Sequence, residues 1–393
     1  MPTTLSTITT VPTPALVFDK ALIEQNVDKL ISLQNTLDIK ILYALKASYG
    51  PLSLLAKYSL TPEVGSVGEL LIAKKYFNQK AHGFFVALSE QEWPQVAPHL
   101  SHLSFNSVAQ GNQFGSRAQQ MGISTGLRVN PNITVSPHPD YDAGALGCRF
   151  GVPINELPSS VPHWIKGLHM HVLCENNSEA LIAALQPLLN KKNILNQLSW
   201  LNLGGGHLIS DQSYDINSFI KIISQIKNSF PNLDIIIEPG AAWVWQAGTL
   251  VTTVRDVVTN NGISSAILDC SFRAHLNDFL IGTLLKNLPL TVRGANYCTT
   301  EEYSLLNEEE RGRTYRLGGL SCATCDTKEF YTFPTQLRPD TRIYFENMGH
   351  YTDVTYSWFN GLVPPSIYQQ NEGHLTPLQT FDLNQFEAQF RNE

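Results

Sequence analysis

Four groups of residues stand at the ends of short apolar runs, and their types are suited to chemistry together. Lys46 closes the run ILYALK, and His169 and His171 lie in GLHMHV. The glycines 204–206 follow WLNL, and Glu238 closes DIIIE. A lysine amine, a glycine turn, a carboxylate and imidazoles together match the needs of a phosphorylated aldehyde cofactor. A metal site or a nucleophile triad uses only part of this set.

Each of these positions also has a structural interpretation. Burial would lower the pKa of Lys46 and favour a Schiff base, but a lysine stem can also pack while its amine reaches solvent. Three glycines can approach a phosphate closely or form a tight turn. Glu238 can hold a proton on a pyridine nitrogen, or it can cap a helix or join a salt bridge.

The histidine pair raises a metal alternative. His169 and His171 point to the same strand face, but a metal site needs further ligands, and Glu238 is the only evident one at the other strand ends. Cys322 and Cys325 form a lone CxxC without a second pair nearby. We therefore expect no metal, and an imidazole stacked on a flat cofactor ring fits the set better.

The elements that position these residues alternate along the chain. Short apolar runs occupy residues 41–46, 62–66, 83–87, 103–107, 126–131, 167–172, 200–206 and 234–240. Segments with helical apolar spacing, such as 67–77 and 178–189, separate them. This pattern predicts parallel strands buried on both faces and a (β/α)8 TIM barrel. A doubly wound open sheet would require a G-x-G-x-x-G turn after its first strand, and ILYALKASYG has none.

The pattern changes after about residue 247. The runs 249–258, 265–270, 288–293 and 342–346 are rich in β-branched residues, with little helix between them. They predict a C-terminal antiparallel β-sandwich or barrel domain. We place the barrel at residues 15–247 and the β domain at 1–14 and 248–393. The charged segment 301–311 predicts a solvated loop or a short helix.

Composition excludes several classes of protein. The chain has 393 residues, 43% of them apolar, and a formal net charge of −7, so neither nucleic acid nor an anionic membrane is an expected partner. No apolar stretch approaches the ~18 residues of a membrane span, and the N-terminal segment has no basic region typical of a secretory signal. Six widely spaced cysteines do not form a disulfide framework. We expect a cytoplasmic enzyme.

Longer motifs carry a family resemblance over nearly the whole chain. They are YALKA (43–47), FNS (105–107), GLRVNP (126–131), GLHMHVLCENNSEAL (167–181), WLNLGGGH (200–207), EPGAAWVWQAGTLVTTVRD (238–256), YRLGG (315–319) and MGHYT (348–352). With these motifs the chain resembles the fold-type III pyridoxal 5′-phosphate (PLP) enzymes, the alanine racemase and ornithine decarboxylase group. Within that group it is most similar to the carboxynorspermidine and carboxyspermidine decarboxylases.

The resemblance implies a set of site residues. Lys46 corresponds to the lysine that holds PLP, His171 to the histidine that stacks on its ring, and Glu238 to the carboxylate at the pyridine nitrogen. The remaining cofactor contacts implied are Arg128, Gly204, Gly205, Gly206 and Tyr351.

The resemblance also implies a homodimer with shared active sites. Cys322 corresponds to a cysteine that the partner subunit contributes and that protonates the decarboxylated carbon. Asp278 is a candidate to meet a distal ammonium of the substrate, and Glu175 is a candidate for the same task. His275 lies in the same substrate-side segment.

Three segments depart from the family pattern. The chain has EPGAA where these decarboxylases usually have EPGEA, so Ala241 replaces a glutamate. It has HLNDFLIGT at 275–283 and GGLSCATCD at 318–326, where the family usually has HMPDVLEMP and a GGPTCLAGD-like run. The cofactor half of the site therefore matches the family better than the half that would recognise the distal end of the substrate.

The function predicted first is decarboxylation of carboxynorspermidine or carboxyspermidine in polyamine biosynthesis. The substrate would be a small molecule with an amino-acid head. The alternative is a related PLP decarboxylase acting on citryl-ornithine or citryl-diaminopropionate in siderophore assembly, because fewer acidic residues suit a less cationic substrate. An amino-acid racemase, a metal-dependent barrel hydrolase and a non-catalytic PLP-binding protein remain as other classes.

Overall fold

The computed structural model describes residues 8–136, 139–157, 160–277 and 290–391. The chain divides into two compact units. The barrel unit consists of Gln25–Ala47 and Leu52–Trp243, and the sheet unit of Met1–Glu24, Ser48–Pro51 and Val244–Glu393. Each unit has its own sheet.

The barrel unit is a ring of parallel strands. Its strands are Lys40–Ile41, Tyr43–Ala44, Pro62–Val64, Ala81–Phe85, Leu100–Phe105, Ser124–Asn130, Gly167–His169, Trp200–Asn202 and Asp234–Ile237, with Val152–Pro153 added beside Ser124–Asn130. The first barrel strand is in two pieces around Leu42. The ring closes there, because Leu42 N donates to Ile237 O at 2.9 Å and Tyr43 N donates to Thr61 O at 3.0 Å. Each of the eight apolar runs contains a strand, and the predicted barrel is confirmed.

Helices separate the strands. The α-helices are Lys20–Leu37, most of which belongs to this unit, Leu52–Leu55, Val67–Tyr76, Trp93–Val96, Val108–Gln120, Ser178–Leu189, Lys192–Leu195, Ile216–Ser229 and Ala241–Val244; the 3-10 helices are Leu45–Ala47, Ala56–Tyr58, Ala97–His99, Pro139–Tyr141 and Ile154–Glu156. Side-chain caps mark several starts: Ser66 Oγ accepts from Glu69 N at 3.1 Å, and Ser107 Oγ accepts from Gln110 N at 3.2 Å. Such caps satisfy amides that have no partner within the helix.

Aromatic rings fill part of the barrel interior. His82 and His102, on neighbouring strands, stack with ring centroids 3.9 Å apart, and the Trp200 ring meets His102 edge-on at 5.7 Å. Burial lowers the pKa of His102 to about 4 and that of His82 well below its ordinary value. Both imidazoles are therefore neutral at pH 7, and this layer is a packed core rather than a channel.

The sheet unit contains one mixed sheet. In spatial order its strands are Asn296–Cys298, Thr327–Thr332, Thr314–Gly318, Ile263–Leu268, Gly248–Asn260, Ala15–Asp19, Ser366–Asn371 and His374–Gln379, and Arg342–Phe345 also pairs with Gly248–Asn260. Its α-helices are Phe272–His275, Thr300–Leu305, Glu308–Arg311 and Leu383–Ala388, and its 3-10 helices are Ile8–Thr10 and Phe359–Gly361.

Some sequence expectations for this unit need correction. The sheet is not antiparallel throughout, because Ala15–Asp19 pairs in parallel with Ser366–Asn371, and Ile263–Leu268 with Thr314–Gly318. Residues 15–19 pair in this sheet, whereas we had placed them with the barrel. In the described part of 288–293, Val292 makes only an isolated bridge to Phe345.

Other expectations for the sheet unit hold. The runs 249–258, 265–270 and 342–346 contain strands, and 301–311 carries two short helices. Across the described residues, no helix has both the length and the apolar character needed to cross a membrane.

Candidate active site

The predicted cofactor residues of the barrel unit lie at one end of its strands. Lys46 sits in the 3-10 turn that follows Tyr43–Ala44, and Arg128 lies near the end of Ser124–Asn130. His171, the glycine turn 204–206 and Glu238 each follow the end of a strand. Because the strands are parallel, these side chains share the carboxyl-terminal face, where barrel enzymes place their active sites.

Lys46 is exposed, although its neighbours Leu45 and Ala47 are fully buried. The sequence left two interpretations open for Lys46, a desolvated amine and an amine that reaches solvent, and the exposed side chain agrees with the second. The run 41–45 and Ala47 are buried, and Lys46 itself is exposed within the 3-10 turn. The amine is therefore accessible to a molecule entering the barrel mouth.

Glu238 is the centre of the site's polar contacts and is only 3% exposed. Asn202 Nδ2 donates to its Oε1 at 2.5 Å. His169 Nε2 lies 3.2 Å from its Oε2, and His171 Nδ1 lies 3.7 Å from the same oxygen. Burial alone would raise the pKa of Glu238, but the two imidazoles hold that pKa well below its ordinary value. The acceptance of a short amide hydrogen bond agrees with an ionised carboxylate.

His171 is held as a neutral ring. Burial, together with the charge of Lys46, lowers the pKa of His171 to about 3. Its Nδ1 accepts from Gly205 N at 3.2 Å, and its carbonyl oxygen accepts from Arg128 Nη2 at 2.8 Å. These contacts fix the ring and its backbone at the edge of the site.

Arg128 is positioned by two aromatic rings. Its guanidinium lies 4.4 Å from the centroid of Phe84 and 4.6 Å from that of Phe150, and the residue is 6% exposed. Burial lowers the pKa of Arg128 to about 10, so it stays charged at neutral pH. Stacked arginines of this kind are stabilised by the ring faces. Arg128 thus holds the backbone of His171 in position through its hydrogen bond to the His171 carbonyl oxygen.

The glycine turn packs closely against its neighbours. Gly204 and Gly206 have φ of +72° and +80°, which side chains rarely adopt. A Cβ on Gly204 would lie 2.7 Å from the Cα of His171, and one on Gly206 would overlap the carbonyl oxygen of Leu173. The turn therefore requires glycine, and it presents bare backbone at the end of the barrel.

Glu63 is a site residue that the sequence analysis missed. It lies in the fully buried strand Pro62–Val64, paired with Ala44 on one side and His82 on the other. Burial raises the pKa of Glu63 to about 8, against the opposing charge of Lys46. Its Oε2 has no hydrogen-bond partner among the described residues. The available signal was an acidic residue inside an apolar strand, PEV.

The other predicted residues lie elsewhere. Glu175 is exposed, with φ of +48°, in the barrel-unit loop before Ser178–Leu189. Tyr351, with φ of +55°, and the exposed Cys322 belong to the sheet unit. His275 is buried there, its Nδ1 accepting from Ser271 N at 3.2 Å, and burial lowers its pKa to about 4. Asp278 lies outside the described residues.

With fold and site in place, comparison with known proteins identifies the class. Residues 16–349 match the family described as pyridoxal-dependent decarboxylase, C-terminal sheet domain. Because this match spans most of the chain, the protein belongs to the pyridoxal-dependent decarboxylases and is an enzyme of that family. The predicted family and enzyme class are confirmed.

Two relatives are similar over nearly their whole length. The chain is 32% identical to the carboxyaminopropylagmatine decarboxylase of Synechocystis sp., covering 92% of this chain and 90% of the relative. It is 31% identical to the carboxynorspermidine/carboxyspermidine decarboxylase of Campylobacter jejuni, covering 91% and 92%.

Solved structures of two decarboxylases are similar to this chain in fold. The crystal structure of carboxynorspermidine decarboxylase from Campylobacter jejuni, complexed with norspermidine, has a TM-score of 0.86 at 29% identity and covers 96% of this chain and 100% of that one. Diaminopimelate decarboxylase from Helicobacter pylori, complexed with L-lysine, has a TM-score of 0.79 at 23% identity, covers 97% and 98%, and shares the fold. The predicted TIM barrel with a C-terminal β domain is confirmed.

Proposed function

We propose that this chain binds PLP at the carboxyl-terminal end of its barrel and removes the α-carboxylate of an amino acid with a long nitrogen-containing tail. The observation that carries the proposal is the grouping of Lys46, His171 and Glu238 at one end of the barrel, in a chain of the pyridoxal-dependent decarboxylase family.

The residues present fit the cofactor. Glu238 is a buried carboxylate in an ionised state, which suits a protonated pyridine nitrogen. His171 is neutral, so its ring can face the cofactor ring without adding a positive charge. The glycine turn has no room for a Cβ, and bare backbone of this kind lets a phosphate approach. Lys46 supplies an accessible amine for the cofactor's aldehyde.

PLP, when bound, supplies an electron sink for the electron pair that remains on the α-carbon as carbon dioxide leaves. Glu238 would hold the proton on the pyridine nitrogen, and Asn202 orients Glu238 through its 2.5 Å hydrogen bond. Arg128 donates to the carbonyl oxygen of His171 and so holds His171 in position for the face of the cofactor ring. Cys322 delivers the proton to the α-carbon.

A metal centre is the specific rival at this site. One ligand atom each from His169, His171 and Glu238 lies within 4.8 Å of the others, which is close enough to bind a divalent cation. Family membership favours PLP. A chelator would stop a metal enzyme, whereas our proposal expects full activity after chelation and dialysis.

We also propose that the working unit is a cytoplasmic homodimer. By resemblance, Cys322 and Tyr351 of the β domain would serve a site shared between two copies. This assigns cofactor binding to the barrel unit and the shared contribution to the sheet unit. In the described chain, no disulfide joins any of the six cysteines, which agrees with a reducing compartment.

The substrate is proposed from the relatives. Carboxynorspermidine or carboxyspermidine is the first candidate, since relatives of those names are 31% and 26% identical to this chain. Carboxyaminopropylagmatine is the second, because the relative of that name is 32% identical. An agmatine tail ends in a guanidinium and a polyamine tail in an ammonium, so a substrate panel separates the two.

The test measures carbon dioxide release by PLP-loaded protein with carboxynorspermidine, carboxyspermidine, carboxyaminopropylagmatine, diaminopimelate, ornithine and citryl-ornithine. Lys46→Ala is the blank, and Arg117→Ala, on the exposed surface, is a matched control for handling. PLP binding is followed separately by a visible absorbance band that borohydride bleaches in the parent but not in Lys46→Ala.

The substrate that is turned over decides between the proposed substrates. Turnover of the carboxypolyamines supports the first substrate, and turnover of carboxyaminopropylagmatine alone supports the second. Turnover of citryl-ornithine alone would mean that Ala241 and the segment 275–283 mark a less cationic substrate. PLP binding without carbon dioxide release from any of them would contradict the proposed reaction.

A further inference from the structure

Two of the six cysteines differ from the rest in their setting. Cys322 and Cys325 are exposed, whereas Cys270 and Cys298 are buried and the remaining two are half-buried. The exposed pair is separated by only Ala323 and Thr324. Cys325 has no assigned role, and the proposed reaction needs only Cys322.

The segment that carries the pair is a closed loop. Gly319 N donates to Asp326 O at 2.9 Å, and Asp326 N donates to Ala323 O at 2.9 Å, which makes a tight turn at the end of the loop. Cys322 N is tied to Asn360 Oδ1 at 3.0 Å. This turn spans residues 323–326, so Cys325 lies within it and Cys322 directly precedes it. Cysteines separated by two residues have the C-x-x-C spacing of redox-active thiol pairs. Two exposed thiols are therefore held on one short loop, whose ends meet through the hydrogen bond between Gly319 and Asp326.

The loop is anchored by a buried carboxylate. Asp326, 5% exposed, accepts from Ser321 N at 2.9 Å and from Ser271 Oγ at 2.8 Å. It also accepts from Phe272 N at 2.7 Å. An anchor of this kind keeps the two ends of the loop in place while the thiols between them react.

We propose that Cys322 and Cys325 form a reversible disulfide modification site that switches off the proton-donating thiol. This rests on the proposed function, in which Cys322 protonates the α-carbon. The oxidant is a peroxide. One thiolate attacks a peroxide oxygen, so an S–O bond forms, the O–O bond breaks, and water leaves. The second thiolate displaces hydroxide from that sulfur and forms the S–S bond. Two thiols lose two electrons and two protons, and the peroxide becomes two molecules of water.

The chemical test does not depend on activity. Trypsin cuts after Arg316 and Lys328 and releases the peptide 317–328, in which Cys322 and Cys325 are the only cysteines. The PLP-loaded enzyme is treated with one equivalent of hydrogen peroxide, alkylated and digested. We expect this peptide to lose two hydrogens and to escape alkylation, and dithiothreitol to restore both alkylation sites.

Variants separate the roles of the two thiols. Cys325→Ser should keep the turnover of the reduced parent within about twofold, and peroxide should leave a sulfenic acid at Cys322 that dimedone traps. The parent should trap little dimedone, because Cys325 resolves the sulfenic acid. Cys298→Ser, which removes a buried thiol of the same unit, should behave as the parent does.

Turnover gives the second half of the test. Oxidation of the parent should lower turnover by about 100-fold, since a positioned general acid contributes about 10²–10⁴ to rate. Dithiothreitol should restore it. A parent peptide that keeps two alkylatable thiols, or that holds a persistent sulfenic acid, overturns the disulfide. A disulfide that forms while turnover is unchanged overturns the switch and the role of Cys322. A reduced enzyme that turns over no substrate contradicts the proposed function, and the peptide mass still decides the disulfide.

Discussion

Glu63 offers the sharpest test of the site's electrostatics. It lies beside the lysine strand, is 2% exposed, and burial raises its pKa from an ordinary 4.5 to about 8. At pH 7 the carboxyl should therefore be mostly protonated in the cofactor-free protein, even though Lys46 opposes this. Glu63→Gln keeps the shape of the neutral carboxyl and removes its titration, so the variant isolates the cost of burying this group.

The magnitude follows from the two pKa values. A carboxyl whose pKa rises from 4.5 to about 8 disfavours its charged form in the folded state by about 5 kcal/mol. Because the folded pKa is the higher one, Glu63 contributes its full stability below pH 4.5 and loses it as the pH rises toward 8. Relative to the parent, the free energy of unfolding of Glu63→Gln should thus increase by about 1.4 kcal/mol per pH unit across that window.

Urea unfolding of cofactor-free parent and variant at pH 5.5, 6.5 and 7.5 measures this difference. Glu156→Gln, at an exposed position of the same unit, gives the baseline for losing a glutamate charge. Infrared difference spectra give a direct second readout, since the C=O stretch of a protonated carboxyl at pH 7 should be present in the parent and absent from Glu63→Gln. A stability difference that is flat from pH 5.5 to 7.5, or a band that titrates near pH 4.5, would refute the reasoning.

Three further predictions follow from the geometry. Gly206 has φ of +80°, and an added Cβ would overlap the Leu173 carbonyl oxygen, so Gly206→Ala should lower the free energy of unfolding by about 2 kcal/mol or more and weaken PLP binding. Gly147 has φ of +78° with nothing within 4 Å of an added Cβ, so Gly147→Ala should lower the free energy of unfolding by only about 1 kcal/mol. Burial lowers the pKa of His207 to about 4, so its contribution to stability should be lost as pH falls from 6.5 to about 4, and His207→Asn should remove about 1.4 kcal/mol per pH unit from the acid slope of unfolding. Asp326→Asn should destabilise the protein by about 1–3 kcal/mol in urea, because an amide nitrogen cannot accept from its buried donors, and should speed alkylation of Cys322.

Much of the barrel could be predicted, because parallel strands buried on both faces leave continuous apolar runs in the sequence. The sheet unit was harder for a physical reason. Its strand Ala15–Asp19 pairs with Ser366–Asn371, far away in the chain, and local patterning contains no information about such a pairing. Residues 15–19 were therefore placed with the barrel, although they pair in the sheet unit.

The site shows the same limit at the level of side chains. Lys46, His171 and Glu238 were predicted because each ends an apolar run, and parallel strands must bring such ends together. Glu63 was missed because it lies within a strand; pairing with Tyr43–Ala44 brings it near Lys46, and ring closure brings it near Glu238. The exposure of Lys46 was left open for a related reason, since apolar neighbours indicate that a segment packs but not whether one side chain of a 3-10 turn is buried.

The two buried acids of the barrel, Glu238 and Glu63, differ in their protonation state. Glu238 accepts a hydrogen bond from Asn202 and lies 3.2 Å and 3.7 Å from two imidazole nitrogens, and its pKa is held low, whereas Glu63, equally buried, has an oxygen without a partner and is favoured in its neutral form. At pH 7, Glu238 is therefore ionised and Glu63 is mostly protonated, although both lie in the same barrel. Pairs of titratable groups with separated pKa values commonly divide acid and base roles in active sites. In the proposed reaction, Glu238 is the fixed anion for a protonated ring nitrogen, and the neutral Glu63 adds no competing negative charge.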